Sequence, residues 1–313
     1  MIDITTTNFE AELINASLAQ PVLLDIWAPW CGPCKALGPL LEKLEAAYAG
    51  RFALAKLNSD EQPEIAGQLS QMFGVRSIPF CVLFKDGQPI DGFVGALPEA
   101  QVRAFLDRHV PSAAEAAAEE EVKEAQALLA EGDAGSALAR LQEAVAIDPA
   151  NDGVRYDYVR ALLMAGRIAD ARRAWQPAAT RVVPDARLVA VGHWLDACER
   201  ALVARSKEAL AAAIAADKRD FDARFELAQI HFAARRFTEA MDELLEIVMR
   251  DRAWRDELAR KTYIAILELM NKPQPAAAAT EKKGTLEVAG KQSLQPADPL
   301  LDRYRRKLSM ALF

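Results

Sequence analysis

Asp25-Ile26-Trp27-Ala28-Pro29-Trp30-Cys31-Gly32-Pro33-Cys34-Lys35 is the stretch on which the fold turns. Upstream of it, Pro21 to Ala28 is a short, nearly continuous apolar run, the pattern of a buried strand. Downstream, from Lys35, the apolar residues Leu37, Leu40, Leu41, Leu44 and Tyr48 follow helical spacing. The two cysteines therefore sit where a strand passes into a helix. Gly32 and Pro33 make a tight turn and start that helix, because the fixed φ of proline suits the first helical position. Only a thiolate attacks a disulfide. Cys31 would lie at the helix N-terminus, where backbone N–H groups and the helix dipole favour negative charge. That placement brings a thiol from about 8.5 toward neutral pH. Cys34 lies one turn on, close enough to attack a mixed disulfide formed by Cys31.

A lone CxxC is also half of a metal site. Here a second CxxC is missing, and His109, His193 and His231 are far apart in the chain, so neither structural zinc nor any other metal is expected. Cys81 and Cys198 complete the set of four cysteines, too few and too scattered for a secreted disulfide framework. One CxxC and two scattered thiols fit a cytosolic redox protein. Cys81 in its apolar strand and Cys198 on an alanine-rich helix read as buried packing residues.

Further along, Phe52 to Leu57 reads as a second strand, Glu64 to Phe73 as a helix, and Phe80 to Phe84 as a third buried strand. Lys85-Asp86-Gly87 turns that strand into Pro89–Val94, and a helix over Leu97 to Val110 closes the segment. Strands alternating with helices make residues 1–110 an α/β domain.

From about residue 111 to 271 strand signals nearly vanish, and the chain becomes rich in Ala, Leu and Arg with helical apolar spacing. Gly132 is followed by Ala137, Leu141, Ala144 and Pro149; Gly166 is followed by Ala171, Trp175 and Ala178, with Pro184 slipped by one. The two alanines lie 34 residues apart, the tetratricopeptide period. Ala240, followed by Leu244, falls close to three periods beyond Ala137. Small residues at these places let paired helices approach. The repeat around Ala209 is off period and reads as degenerate. Trp175 and Trp194 read as aromatics of the repeat core.

Residues 272–298, with Pro273, Pro275, a run of alanines and Lys282-Lys283-Gly284, read as a flexible linker. In 299–313, Leu301, Tyr304, Leu308 and Leu312 fall on one face of a short helix, opposite a basic face. Such a helix is marginal alone in water, so it docks either on its own chain or on a partner.

The charge is uneven: −5 over residues 1–110, −6 over 111–271 and +4 over 272–313, within a total of −7. The acidic body argues against nucleic acid as a partner. No run of about 18 apolar residues points to a membrane span. The first residues include Asp3 and Glu10 and lack a basic start before an apolar run, so a cytoplasmic location is expected. Nothing in the sequence calls for more than a monomer.

With these residues in view, residues 1–110 resemble thioredoxin throughout. The resemblance implies a thioredoxin fold, a central mixed sheet flanked by helices, followed here by an all-α tetratricopeptide-repeat domain. It implies catalytic roles for Cys31 and Cys34 and makes Asp25 the buried acid that accepts the proton of the resolving cysteine. It makes Lys56, in Ala55-Lys56-Leu57-Asn58, the lysine near that acid, and Pro79, in Ser77-Ile78-Pro79, the cis-proline facing the disulfide. Trp30, Gly32, Pro33, Ile78 and Gly95 become the substrate groove; Trp27, Pro39 and Gly95-Ala96-Leu97 match as well. One departure is Phe80, where thioredoxins usually carry threonine; its ring is expected to narrow or reshape the groove.

The whole layout resembles the bacterial chaperedoxins, co-chaperones that join a thioredoxin domain to tetratricopeptide repeats. The stretch Tyr304-Arg305-Arg306-Lys307-Leu308 looks like that family's C-terminal signature for docking on the bacterial chaperonin. The resemblance makes Leu301, Tyr304, Arg305, Arg306, Leu308 and Leu312 docking residues. It implies a thiol–disulfide oxidoreductase that holds unfolded or oxidised client proteins, with thioredoxin reductase or glutathione as electron donor and no cofactor. The rival readings are a non-catalytic repeat scaffold and a thioredoxin dedicated to one substrate protein.

Overall fold

A computed structural model describes residues 2–179, 185–271 and 298–312. The expected linker, apart from Asp298, and Pro184 lie outside the described residues. The chain divides into two compact units, the first ending at Ala116 and the second starting at Ala117.

The first unit is built on five strands: β1 (Ile2–Asp3), β2 (Val22–Trp27), β3 (Ala53–Asn58), β4 (Phe80–Lys85) and β5 (Gln88–Val94). They form one mixed sheet in the order β1-β3-β2-β4-β5, parallel on the β1, β3, β2 side and antiparallel from β2 to β4 to β5. Successive side chains of a strand leave on opposite faces, and both faces are covered. On one, Leu23, Leu54, Cys81 and Leu83 pack under α1 (Gly32–Ala47) and α3 (Glu99–Leu106). On the other, Leu24, Ile26, Leu57, Phe80 and Val82 pack under α2 (Pro63–Phe73) and a helical segment from Phe9 to Leu18. The strands and helices read from the pattern are all present. Ahead of β2 the chain also holds β1 and that extra segment, which is irregular: a π-helical stretch Phe9–Asn15 followed by a 3-10 turn Ala16–Leu18.

The second unit is all-helical among the described residues. Its helices are α4 (Ala113–Glu131, which begins in the first unit), α5 (Ala134–Ile147), α6 (Asp152–Met164), α7 (Ile168–Trp175), α8 (Ala186–Ala201), α9 (Lys207–Ala216), α10 (Phe221–Ala233), α11 (Phe237–Arg250), α12 (Trp254–Met270) and α13 (Pro299–Leu312). Gly132 and Gly166, both at positive φ, close the turns of the first two helix pairs. The periodic alanines Ala137, Ala171 and Ala240 are completely buried, as close helix packing demands. Ala209 is exposed, and its neighbour Leu210 is buried in its place, which is how the off-period repeat accommodates its shift. Trp175 lies over Gly192 of α8 and donates its indole N–H to the Leu188 carbonyl at 2.9 Å; Trp194 is buried in the same core.

Candidate redox site

Cys31 is the N-cap of α1: its backbone is extended (φ −79°, ψ 102°), and its Sγ accepts the backbone N–H of Cys34 at 3.2 Å. Pro33 lies in the first turn, where a missing N–H leaves no helical bond unmade. The two cysteines are joined as a disulfide with Cα atoms 5.3 Å apart, and both are nearly buried. Around them the surface is open. Gly32 and Pro33 are exposed, and Trp30 stands out at 71 % exposure, with its indole N–H donating to the Asp60 carboxylate. Ile78 packs against the disulfide. The Ile78–Pro79 bond is cis, and the Pro79 carbonyl accepts the N–H of Gly95 at 2.8 Å. Gly95 has φ +87°, a conformation that glycine adopts without penalty. Trp30, Gly32, Pro33, Ile78 and Gly95 thus belong to segments gathered at one end of the sheet.

Beneath this surface lies Asp25, 1 % exposed, in the middle of β2. Strand pairing sets Lys56 of β3 and Cys81 of β4 directly opposite it. Burial pushes the Asp25 carboxyl up to about 6, against the opposing pull of the Lys56 ammonium and a hydrogen bond from the Cys81 thiol. Lys56 itself is held at 2.8 Å by Glu42 of α1, and its Nζ approaches Gly38 one turn beyond Cys34. The expected effect of Phe80 on the groove is not what the structure gives. Its ring is 1 % exposed and sits in the core under α2, edge-on to Phe73 at 5.6 Å. The pleat turns the residue after Pro79 inward, away from any substrate. Cys81 does more than fill its apolar strand: its thiol reaches the Asp25 carboxylate.

The C-terminal helix belongs to the second unit. Leu301, Tyr304 and Leu308 are buried and Leu312 is partly buried against its core, while Arg305 and Arg306 are exposed. The apolar face expected to meet a partner is therefore packed against α11 and α12 of the same unit. The Tyr263 hydroxyl donates to the Tyr304 carbonyl at 2.9 Å, and the Tyr304 hydroxyl and Lys307 ammonium both bond Asp242.

A cysteine capping a helix, joined in a disulfide to a second one turn along, and a buried carboxylate below them define a dithiol–disulfide exchange centre on an α/β sheet. Comparison with known proteins places it further. A family model described as thioredoxin matches residues 1–108, and two tetratricopeptide-repeat models match residues 128–190 and 201–283. Thioredoxin 2 of Chlorobaculum tepidum is 45 % identical over 106 residues, 92 % of that protein and 34 % of this chain. Thioredoxin 1 of Synechococcus elongatus is 40 % identical over 107 residues, 94 % of its length; thioredoxin of Haemophilus influenzae is 41 % identical over 110 residues, 97 % of its length. Through its first domain the chain belongs to the thioredoxin family, and it carries tetratricopeptide repeats behind that domain. It is a protein-disulfide oxidoreductase. Among the described residues, no helix is long and apolar enough to cross a membrane.

Proposed function

We propose that the protein is a redox-active co-chaperone of the chaperedoxin kind. It holds unfolded or oxidised client proteins on its repeats, reduces or reversibly caps their cysteines, and passes them to a chaperonin. The observation that carries this reading is the joining, in one chain, of a complete thioredoxin site to tetratricopeptide repeats, a fold whose stacked helices offer a protein-binding surface. Chaperonin docking is assigned to the basic face of α13, with Arg305 and Arg306 as its contacts, because Leu301, Tyr304 and Leu308 are already engaged within the chain. The segmentation at 1–110, 111–271, 272–298 and 299–313, a cytoplasmic location and a monomeric state complete the proposal.

In the redox half, the Cys31 thiolate attacks a client disulfide. A Cys31–client bond forms, and the displaced client sulfur leaves as a thiolate. Cys34 then gives its proton to the Asp25 carboxylate and attacks Cys31 Sγ, so that the Cys31–Cys34 disulfide forms as the second client thiolate departs. Lys56 tempers the charge on Asp25, while Ile78, Pro79 and Gly95 form the wall against which the client strand lies, with Trp30, Gly32 and Pro33 opposite. A thioredoxin reductase or glutathione returns the electrons.

The test is a trap. A Cys34→Ser chain in cell extract should retain many unrelated proteins in reductant-sensitive bonds, with a chaperonin co-purifying unless residues 299–313 are removed. A single dominant covalent partner favours a dedicated reductase. No covalent partners at all, with Cys31→Ser leaving insulin reduction undiminished, would sink the redox half and leave a scaffold.

A further inference from the structure

Cys81 takes no part in the dithiol pair, and its surroundings do not require sulfur. Leu23, Leu54 and Leu83 share its face of the sheet, and an apolar side chain would fill the same space. What a thiol adds there is a proton to donate. Its Sγ lies 3.7 Å from Asp25 Oδ1, within reach of a sulfur hydrogen bond, with Cys81 fully buried and Asp25 at 1 % exposure. An ionised carboxylate only accepts, so the thiol is the donor. Burial and the neighbouring carboxylate push the Cys81 thiol well above its ordinary value, so it keeps its proton while Asp25 titrates.

The register fixes this arrangement from both sides. Asp25 stands opposite Cys81 across the β2–β4 pairing and opposite Lys56 across the β2–β3 pairing, and all three side chains leave the sheet toward α1. The ionisable groups of α1 are otherwise engaged. Cys34 is in the disulfide, Glu42 holds Lys56, Glu45 accepts the N–H of Leu54, Lys43 pairs with Glu99, and Lys35 is exposed. On β5, Asp91 faces His109 and Arg108; on α3, Glu99 and Arg103 face each other. Lys56 and Cys81 are the two groups that act on Asp25.

The geometry points to Cys81 as a positioning residue for the resolving step: its S–H holds the Asp25 carboxylate oriented and ionised to receive the Cys34 proton. This rests on the proposed role of Asp25 as proton acceptor. In the step itself, the Cys34 proton passes to Asp25, and the Cys34–Cys31 bond forms as the Cys31–client bond breaks. The electron pair of that bond leaves with the client thiolate, Asp25 later returns its proton to solvent, and Cys81 keeps its own throughout.

The experiment uses the full chain, pre-reduced, in single-turnover reduction of insulin across pH. Cys81→Val, which keeps most of the side-chain volume, and Cys81→Ala should both move the inflection belonging to Asp25 upward by about half a unit or more, since a hydrogen bond to the charged form is lost. Asp25→Asn should abolish the inflection, and adding Cys81→Val to it should change nothing further. An inflection unmoved in both Cys81 variants, yet abolished by Asp25→Asn, overturns the role of Cys81 and leaves that of Asp25. An inflection that survives Asp25→Asn overturns the Asp25 reading itself. A second readout needs no variant at the site in the sample being titrated. In the oxidised protein only Cys81 and Cys198 carry S–H groups. The infrared S–H band absent from Cys81→Val should shift as pH passes through about 6 while the Cys198 band stays put; a stationary Cys81 band counts against the bond.

Discussion

At the scale of single residues, the buried carboxylate sets a conflict between stability and chemistry. The Asp25 carboxyl rises from 3.8 to about 6 in the fold, chiefly through burial. Well below pH 3.8 it is neutral in both folded and unfolded chains and costs nothing. As pH rises past 3.8 the unfolded chain ionises first, so stability falls until the folded carboxyl ionises too, near pH 6. The accumulated penalty is about 3 kcal/mol at 1.36 kcal/mol per unit. Asp25→Asn should therefore raise the unfolding free energy of the oxidised thioredoxin unit by about 2–3 kcal/mol at pH 8 and change it little at pH 4. Equal gains at both pH values in urea titrations would refute the assignment. The place of Asp25 before the CxxC was legible in the sequence, as was the helix-capping role of Cys31. The contact of Asp25 with Cys81 and the fate of Phe80 were not, because both depend on which face of β4 each residue occupies. Face follows from register, and a one-residue slip inverts it. Once Asp25 is paired with Cys81, Phe80 must point the other way.

At the scale of elements, the repeats show what a period reveals and what it hides. The 34-residue spacing located Ala137 and Ala171 in the core, because small residues at fixed spacing are visible in any chain. A second relation lies at about twice that spacing. Residues 148–172 and 217–241 correspond at a shift of 69, aligning Asn151 with Asp220 as helix N-caps and Arg155 with Arg224. Both arginines are buried and reach back to the equivalent loop carbonyls, Arg155 to Pro149 at 2.7 Å and Arg224 to Lys218 at 3.2 Å. The glycine that would have flagged the later turn is replaced by Arg235, which takes a positive φ itself. Arg224 also pairs with Glu243 at 2.7 Å. Arg224→Met should thus cost about 1–3 kcal/mol by stranding a carbonyl and a half-buried carboxylate, read by helical circular dichroism in denaturant; a cost near zero would make the bond ornamental. The α7–α8 contact makes a sharper case. A Cβ on Gly192 would stand 2.6 Å from the Trp175 ring, and the indole is tied to Leu188. Gly192→Ala should destabilise the repeat unit by about 1–3 kcal/mol through overpacking and shift Trp175 fluorescence. A fully tolerated alanine would mean that the ring moves freely.

At the scale of the whole molecule, the C-terminal helix carries two demands on its two faces. Periodicity alone could not decide between an internal and an external dock, since an amphipathic helix of this length is marginal by itself and needs some surface to cover it. The structure gives its apolar face to α11 and α12, with Tyr263 and Asp242 as polar anchors, and leaves Arg305 and Arg306 in solvent. If the proposed chaperonin contact uses the exposed face, folding and docking should separate by substitution. Arg305→Glu with Arg306→Glu should leave the unfolding free energy of the repeat unit within about 0.5 kcal/mol of the parent yet abolish chaperonin co-purification. Leu308→Asp buries an unpartnered charge, costs several kcal/mol, and should lose both. Tyr304→Phe removes only the hydroxyl bond to Asp242 and should cost about 1 kcal/mol with docking intact. The opposite pattern, in which Leu308→Asp binds chaperonin as well as or better than the parent, would mean that the helix must leave its own unit before a partner can read it. The apolar residues would then be the docking face after all. Urea unfolding followed by helical circular dichroism, run beside chaperonin pull-downs on the same preparations, distinguishes the two arrangements.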